Sequence, residues 1–263
     1  PRSTLFPYTT LFRSQRFQSQ PAFVLQHRPY SETSLLVDLF TQKTGRIAAI
    51  AKGARRLKSR YRGVLLPFQP LAVQFTGKGD VKTLTGAEPA GSQILLSRDH
   101  LMCGFYLNEL IIKMIYRYDP YETLYTVYGC ALDELYRTAD AEFTLRRFEK
   151  ILLAEVGYGL HLQRDVSTGL PIEKHFVYRY LPETGPIVDD NSRSDGVLIH
   201  GDALIALDQE EMFTERVRRE LKQLNRTVLA THLQGKPLNS RRMYAQLYPE
   251  KGSAAARVKR VEF

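Results

Sequence analysis

Residues 35–51 read LLVDLFTQKTGRIAAIA, two apolar runs of strand length joined by a short polar turn that ends on Gly45. A tight turn needs a residue with positive φ, which glycine adopts without steric cost, so this stretch predicts a β-hairpin. Working outward, AFVLQ (22–26) precedes the hairpin; LAVQFT (71–76) and VKTLT (81–85) follow it, joined by GKGD (77–80). Five short strands packed this densely along the chain predict a small closed barrel of the OB type.

Past residue 95 the period of the apolar residues lengthens. Leu101, Phe105, Ile112 and Ile115 recur at helical spacing, and Pro120 opens a second helix carrying Leu124, Val127, Ala131 and Leu135. A third helix holds Leu145, Phe148, Leu152 and Val156 and ends at the glycines of residues 157–159. Residues 163–200 are rich in Gly, Pro, Asp and Ser, with FVYRY and GVLIH as the strand-like runs, and read as a loop or small irregular β insertion. A long helix resumes near residue 209 with Phe213, Val217, Leu221, Leu224 and Val228 inward, and a short one, SRRMYAQLY, follows Pro237. The expected fold is therefore α+β and multidomain: a barrel over 15–95 and a helical domain over 96–249. Residues 1–14, PRSTLFPYTTLFRS, nearly repeat themselves (STLF, TTLF) and read as a cloning or sequence-assembly scar, with a short arm bearing Phe6, Tyr8 and Phe12 as the alternative. Residues 250–263 read as a disordered tail.

The charge is as uneven as the periodicity. Residues 1–95 hold 14 Lys and Arg against 4 Asp and Glu, whereas residues 96–263 hold 23 against 24, so the whole excess lies in the first third of the chain. It concentrates in AKGARRLKSRYRG (51–63), where Lys52, Arg55, Arg56, Lys58, Arg60 and Arg62 occur without one acid. Like charges this close repel unless something anionic lies against them: nucleic acid, an acidic membrane or an acidic protein. A membrane is disfavoured because no apolar face accompanies the charge. A barrel of OB type binds single strands through a cationic groove and stacking aromatics, which makes the run a nucleic-acid site, flanked by Arg46, Lys78 and Lys82. Tyr30 and Tyr61 stand in turn-like contexts suited to stacking; for Tyr61, packing in the core is an equal alternative. Phe40, Phe68 and Phe75 read as core.

The common catalytic signatures are absent from the sequence: no Walker loop, no G-x-G-x-x-G after a strand, no H-E-x-x-H and no C-x-x-C. The chain reads as a non-enzyme without cofactor. Cys103 and Cys130 read as a buried, reduced pair in a cytoplasmic protein, and Glu210, Glu211 and Glu215 as first-turn acids facing a helix dipole.

Several motifs in register, AFVLQHRPYSETSLLVDLFTQKTGR, AKGARR, RGVLLPFQPL and GKGDVKTL, then YLNEL (106–110), LRRFEKILLAEVGYG (145–159) and GKPLNSRRMYAQL (235–247), resemble the bacterial RecO family over residues 16–249. The resemblance implies an OB-fold followed by helices and a recombination mediator of DNA repair. Such a mediator binds single- and double-stranded DNA, anneals complementary strands and helps load RecA on coated DNA. It also implies two direct partners, RecR and the acidic C-terminal tail of single-stranded-DNA-binding protein, with RecA reached indirectly in a bacterial, nucleoid-associated setting. For that tail, Arg146, Arg147 and Lys150 beside the apolar stripe of the third helix are the candidate dock. Many members carry a four-cysteine zinc site near residues 163–190; this region has no cysteine, so no metal is expected. Two other classes stay open: an OB-fold protein of RNA metabolism, and a nuclease or other enzyme whose site is not a linear motif.

Overall fold

A computed structural model describes residues 19–247 apart from positions 139, 193 and 234. The segments 1–14 and 250–263 singled out above lie outside these residues. Five strands, β1 (Gln20–Tyr30), β2 (Ser34–Thr41), β3 (Gly45–Ala51), β4 (Leu71–Thr76) and β5 (Val81–Pro89), close into a barrel in the order β1-β2-β3-β5-β4. All pairings are antiparallel except β3 with β5. The barrel is the OB-type fold expected, and its interior is filled by Val24, Val37, Leu39, Ile47, Leu71, Val73 and Phe75. Gly45 does more than turn the chain. With φ at 71°, it also lies against the backbone of Asp119, where a Cβ would overlap the carbonyl oxygen. The hairpin is thus seated backbone to backbone on the connection between the first two helices.

The helical part runs α1 (Arg98–Met114), α2 (Glu122–Arg137), α3 (Ala141–Glu155), α4 (Gly201–Gln209), α5 (Glu215–His232) and α6 (Asn239–Leu247). Between α3 and α4, strands β6 (Val177–Leu181), β7 (Gly185–Val188) and β8 (Val197–His200) form an antiparallel sheet in the order β7-β6-β8. The insertion is therefore more regular than its composition predicts. The helix expected from about 209 starts later, at Glu215 (α5), and a separate helix that the sequence did not announce, α4, precedes it and stops at Glu210, which adopts the left-handed conformation as its C-cap. Only Glu215 is a first-turn acid; Glu210 serves as an ion-pair acceptor, described below. On α1 the buried face is Met102, Cys103, Tyr106, Leu107, Leu110 and Ile111, while Leu101 is exposed. Of the two cysteines, Cys103 is buried and Cys130 exposed, and both are free thiols.

Asp165 holds the insertion together. It is buried, and its Oδ1 accepts from the Ser167 amide (2.7 Å), the Ser167 hydroxyl (2.6 Å) and the Thr168 amide (3.0 Å), while Oδ2 accepts from the Val188 amide at 2.8 Å. One carboxylate thus ties the 164–171 loop to β7. Burial pushes its pKa up, but these donors favour the charged form and leave it below the ordinary Asp value. Replacing Asp165 by Ala is expected to lower stability by about 2–3 kcal/mol, since charge-assisted bonds are lost and buried amides stranded. Because the folded-state pKa is depressed, the advantage over Asp165→Asn should be complete above pH about 4 and vanish as the pH falls below it. Chemical denaturation at several pH values measures both. A chelator should leave Tm unchanged.

Candidate nucleic-acid interface

The basic run leaves β3 at Ala51 and crosses one end of the barrel as a chain of tight turns. Amide-to-carbonyl bonds from Arg56 to Gly53 (3.1 Å), Ser59 to Arg56 (3.0 Å), Arg62 to Ser59 (3.2 Å) and Val64 to Tyr61 (3.1 Å) set its path. Gly53 and Gly63 take positive φ at its two bends. Ala54, Tyr61 and Leu65 turn down into the barrel core and anchor the loop, which leaves Lys52, Arg55, Arg56, Lys58, Arg60 and Arg62 exposed on its outer side. This alternation is the local reason for the sequence pattern: small or apolar residues plug the barrel end, and cations fill the positions between.

Among the described residues none of these six cations is in an ion pair. Three are held by uncharged acceptors. Arg55 Nη1 donates to the carbonyls of Ser31 (3.2 Å) and Glu32 (3.1 Å), Arg60 Nη2 to the Thr85 carbonyl (2.8 Å), and Arg62 Nη1 to the Leu57 carbonyl (3.2 Å). A carbonyl fixes a guanidinium without neutralising it, so the full positive charge stays at the surface. The surface is a partly fixed array of positive charge suited to phosphates.

The structure divides the other candidates. Tyr61 is buried, its hydroxyl donating to the Leu84 carbonyl at 2.9 Å and accepting from Arg60 Nη2 at 3.0 Å, so packing wins and stacking on bases is excluded by access. Arg46 and Lys82 are not on the loop. Arg46 is half-buried at the far end of β3, bridged to Arg117 of the α1–α2 connection; burial and Arg117 lower its pKa while Asp38 opposes them. Lys82 is buried in β5 with its ammonium 4.8 Å from the Tyr118 ring centroid. Both line the seam between barrel and helices, and only Lys78, exposed in the β4–β5 turn, keeps an accessible head.

Beside the loop stand residues that the sequence pattern undervalued. From Gln26 to Tyr30, β1 is exposed on both faces, so the tip of the β1–β2 hairpin projects beyond the barrel. It carries Arg28 and a half-exposed Tyr30, and its turn carbonyls are the ones that hold Arg55. The signal was available: QHRPY lacks the apolar alternation of a buried strand.

Arg146 is 1% exposed, with Nη1 3.0 Å from Glu149 Oε2, and cannot meet a partner at the surface. Arg147 pairs with Glu134 (2.5 Å) and Glu210 (2.8 Å), and Lys150 with Glu210 (2.8 Å). Among the described residues no group of three or more His, Cys, Asp or Glu could hold a metal, and no helix is long and apolar enough to cross a membrane.

Packing and stacking predict different variants at Tyr61. Tyr61→Phe should cost about 1 kcal/mol of stability through one lost hydrogen bond, and Tyr61→Ala about 3–5 kcal/mol through the cavity it leaves. A stacking residue would instead lose DNA affinity at constant Tm, so paired melting and binding measurements decide.

Comparison with known proteins places the chain in a family. The family model "Recombination protein O N terminal" matches residues 16–93, and "Recombination protein O C terminal" matches 95–242. The chain is 44% identical to DNA repair protein RecO of Nitrosospira multiformis over 230 residues, which cover 87% of this chain and 95% of that protein. It is 42% identical to the protein of the same name from Nitrosococcus oceani (87% and 93% covered) and to that of Coxiella burnetii (88% and 99%). With a cationic barrel, a helical second half and both family models matched in order, the chain belongs to the RecO family of DNA repair proteins.

Proposed function

We propose that this chain is a DNA-binding recombination mediator that holds single- and double-stranded DNA against the 52–62 loop, brings complementary strands together for annealing, and helps load RecA on DNA coated by single-stranded-DNA-binding protein. One observation carries the reading: six exposed cations on an ordered loop, with no carboxylate among the described residues paired to any of them. Phosphates supply the missing countercharge. Arg55, Arg60 and Arg62, already fixed, set the register of the backbone, while Lys52, Arg56 and Lys58 extend into solvent to follow it. Annealing fits this chemistry, because a surface that reads phosphates without reading base edges screens the repulsion between two strands and leaves their pairing edges free.

The test is the salt dependence of binding. With about four phosphates neutralised, log affinity should fall against log salt with a slope of about −3 for single strands and about −3.6 for duplex. Replacing Lys52, Arg56 and Lys58 together by Ala should flatten the single-strand slope by about 2. All three side chains are exposed, so Tm should hold. An unchanged slope would place the DNA elsewhere. Parallel titrations with RNA test the second OB-fold reading.

For partners, the reading keeps RecR and the acidic tail of single-stranded-DNA-binding protein. Of the three cations expected at the tail site, Arg147 and Lys150 remain, and both pair with Glu210, Arg147 with Glu134 as well. A tail docking there would exchange its carboxylates for that of Glu210. Glu210→Ala should therefore strengthen binding of a tail peptide, and Arg147→Glu should weaken it by about tenfold or more, with naked-strand binding unaltered. Arg146→Glu is uninformative, because it places two buried carboxylates side by side.

A further inference from the structure

We propose that Leu57, at the outer edge of the basic loop, inserts against unpaired bases and makes this surface prefer single strands to duplex; the inference rests on the reading of that loop as the DNA contact. Leu57 is 84% exposed, between Arg56 and Lys58, two exposed cations whose side chains make no hydrogen bond or ion pair among the described residues. It is not a loose residue. Its carbonyl accepts from Arg62 Nη1 at 3.2 Å, the turn bonds of Arg56 to Gly53 and Ser59 to Arg56 bracket it, and Ala54 and Tyr61 anchor the chain on either side.

Isolated apolar residues on a surface are ordinary, and exposure alone would mean nothing. The position is what carries the argument. A strand whose phosphates lie on Arg56 and Lys58 passes directly over the residue between them. The apolar surface a single strand offers there is the face of an unstacked base, and covering Leu57 with it removes both surfaces from water. A duplex turns its bases inward and offers sugar and phosphate instead, so Leu57 gains nothing from it unless the base step opens to admit the side chain as a wedge. The cations therefore supply the salt-dependent part of binding, and Leu57 a salt-independent part confined to unpaired DNA.

The experiment uses the full chain with a short oligodeoxynucleotide carrying 2-aminopurine, and with the matching duplex, over a range of salt concentrations. Leu57→Ala should weaken single-strand binding by about tenfold, leave duplex binding within about twofold, and leave both salt slopes unchanged. It should also restore the 2-aminopurine fluorescence that contact with the wild-type loop alters, while Leu57→Phe keeps the single-strand preference. Equal losses on single strand and duplex, an altered salt slope, or no loss at all would overturn the inference. The Lys52, Arg56, Lys58 triple variant separates the two failures. If it loses its salt slope while Leu57→Ala binds like wild type, the loop contacts DNA and only the role of Leu57 falls; if the triple variant binds like wild type, the loop reading fails and the inference with it.

Discussion

The side-chain amide of Asn108 joins the two halves of the molecule. In β1 the register with β2 shifts between Val24 and Gln26, so Leu25 is a bulge residue whose carbonyl is released from the ladder. Asn108 Nδ2, on α1, donates to that carbonyl at 2.8 Å, and Asn108 Oδ1 accepts from the Tyr128 hydroxyl of α2 at 2.5 Å. Burial raises the Tyr128 pKa and keeps the hydroxyl a donor. Both ends of the amide are used, in a place without access to water. An aspartate would set a charge against a carbonyl, and a leucine would strand a carbonyl and a hydroxyl, each at a cost of about 1–3 kcal/mol. The apolar contacts agree with the polar ones. Phe23 and Phe40, paired across β1 and β2, point out of the barrel onto Tyr125 and Tyr128, with ring centroids 5.1–6.1 Å apart. One flank of the barrel is thereby committed to the helices. What stays uncovered is the end where the β1–β2 tip and the 52–62 loop meet.

The two halves treat charge in opposite ways. In the helical half, arginines find carboxylates: Arg146 with Glu149, Arg147 with Glu134 and Glu210, Arg179 with Asp189, Arg218 with Asp140, and Arg216 with Asp202 and Glu220. Glu149 is the most demanding case, fully buried. It accepts from the Tyr106 hydroxyl (2.6 Å) and the Asn225 amide (2.7 Å) besides facing Arg146, so α1, α3 and α5 converge on it. A buried carboxylate persists only when its lone pairs are filled in this way. The barrel loop has the reverse composition, cations without acids. Its mutual repulsion is tolerable because salt screens exposed charges beyond about 8 Å at physiological ionic strength. The loop thus reverses the pairing of those helical-half arginines, as the proposed polyanion contact would require.

Much of this was legible in the sequence, and the failures have physical causes. The five strands, their hairpin glycines and the basic run could be read because period, turn chemistry and charge are local properties. Tyr61 could not be placed, since an aromatic amid cations looks the same whether its loop projects or folds back over a barrel end. Arg146 and Arg147 are neighbours in sequence and about 100° apart on the helix, so one falls among α1 and α5 and the other beside α4. Only tertiary packing tells them apart. Arg46 and Lys82 suffered from the same blindness: both are strand residues, and the α1–α2 connection that covers them is remote in sequence. Strand β7 begins Gly-Pro, which reads locally as a turn, and its membership in a sheet comes from β6. The half of β1 that projects was undervalued because a strand was expected to end where its apolar alternation ends.

The donors of the loop show how order and charge are reconciled. A carboxylate partner would fix an arginine more strongly than a carbonyl does, but it would also cancel the charge that the proposed DNA contact needs. Carbonyls of Ser31, Glu32, Thr85 and Leu57 fix three of the six side chains and cancel nothing. Each side chain already held in place loses less conformational freedom on binding, a saving of about 0.5–1.5 kcal/mol apiece. The remaining three, long and unheld among the described residues, suit a ligand whose path varies with sequence and with strandedness. A fully fixed array would favour one backbone geometry, and a fully loose one would spend its binding energy on ordering. The loop lies between these limits, and the carbonyl-held arginines are what put it there.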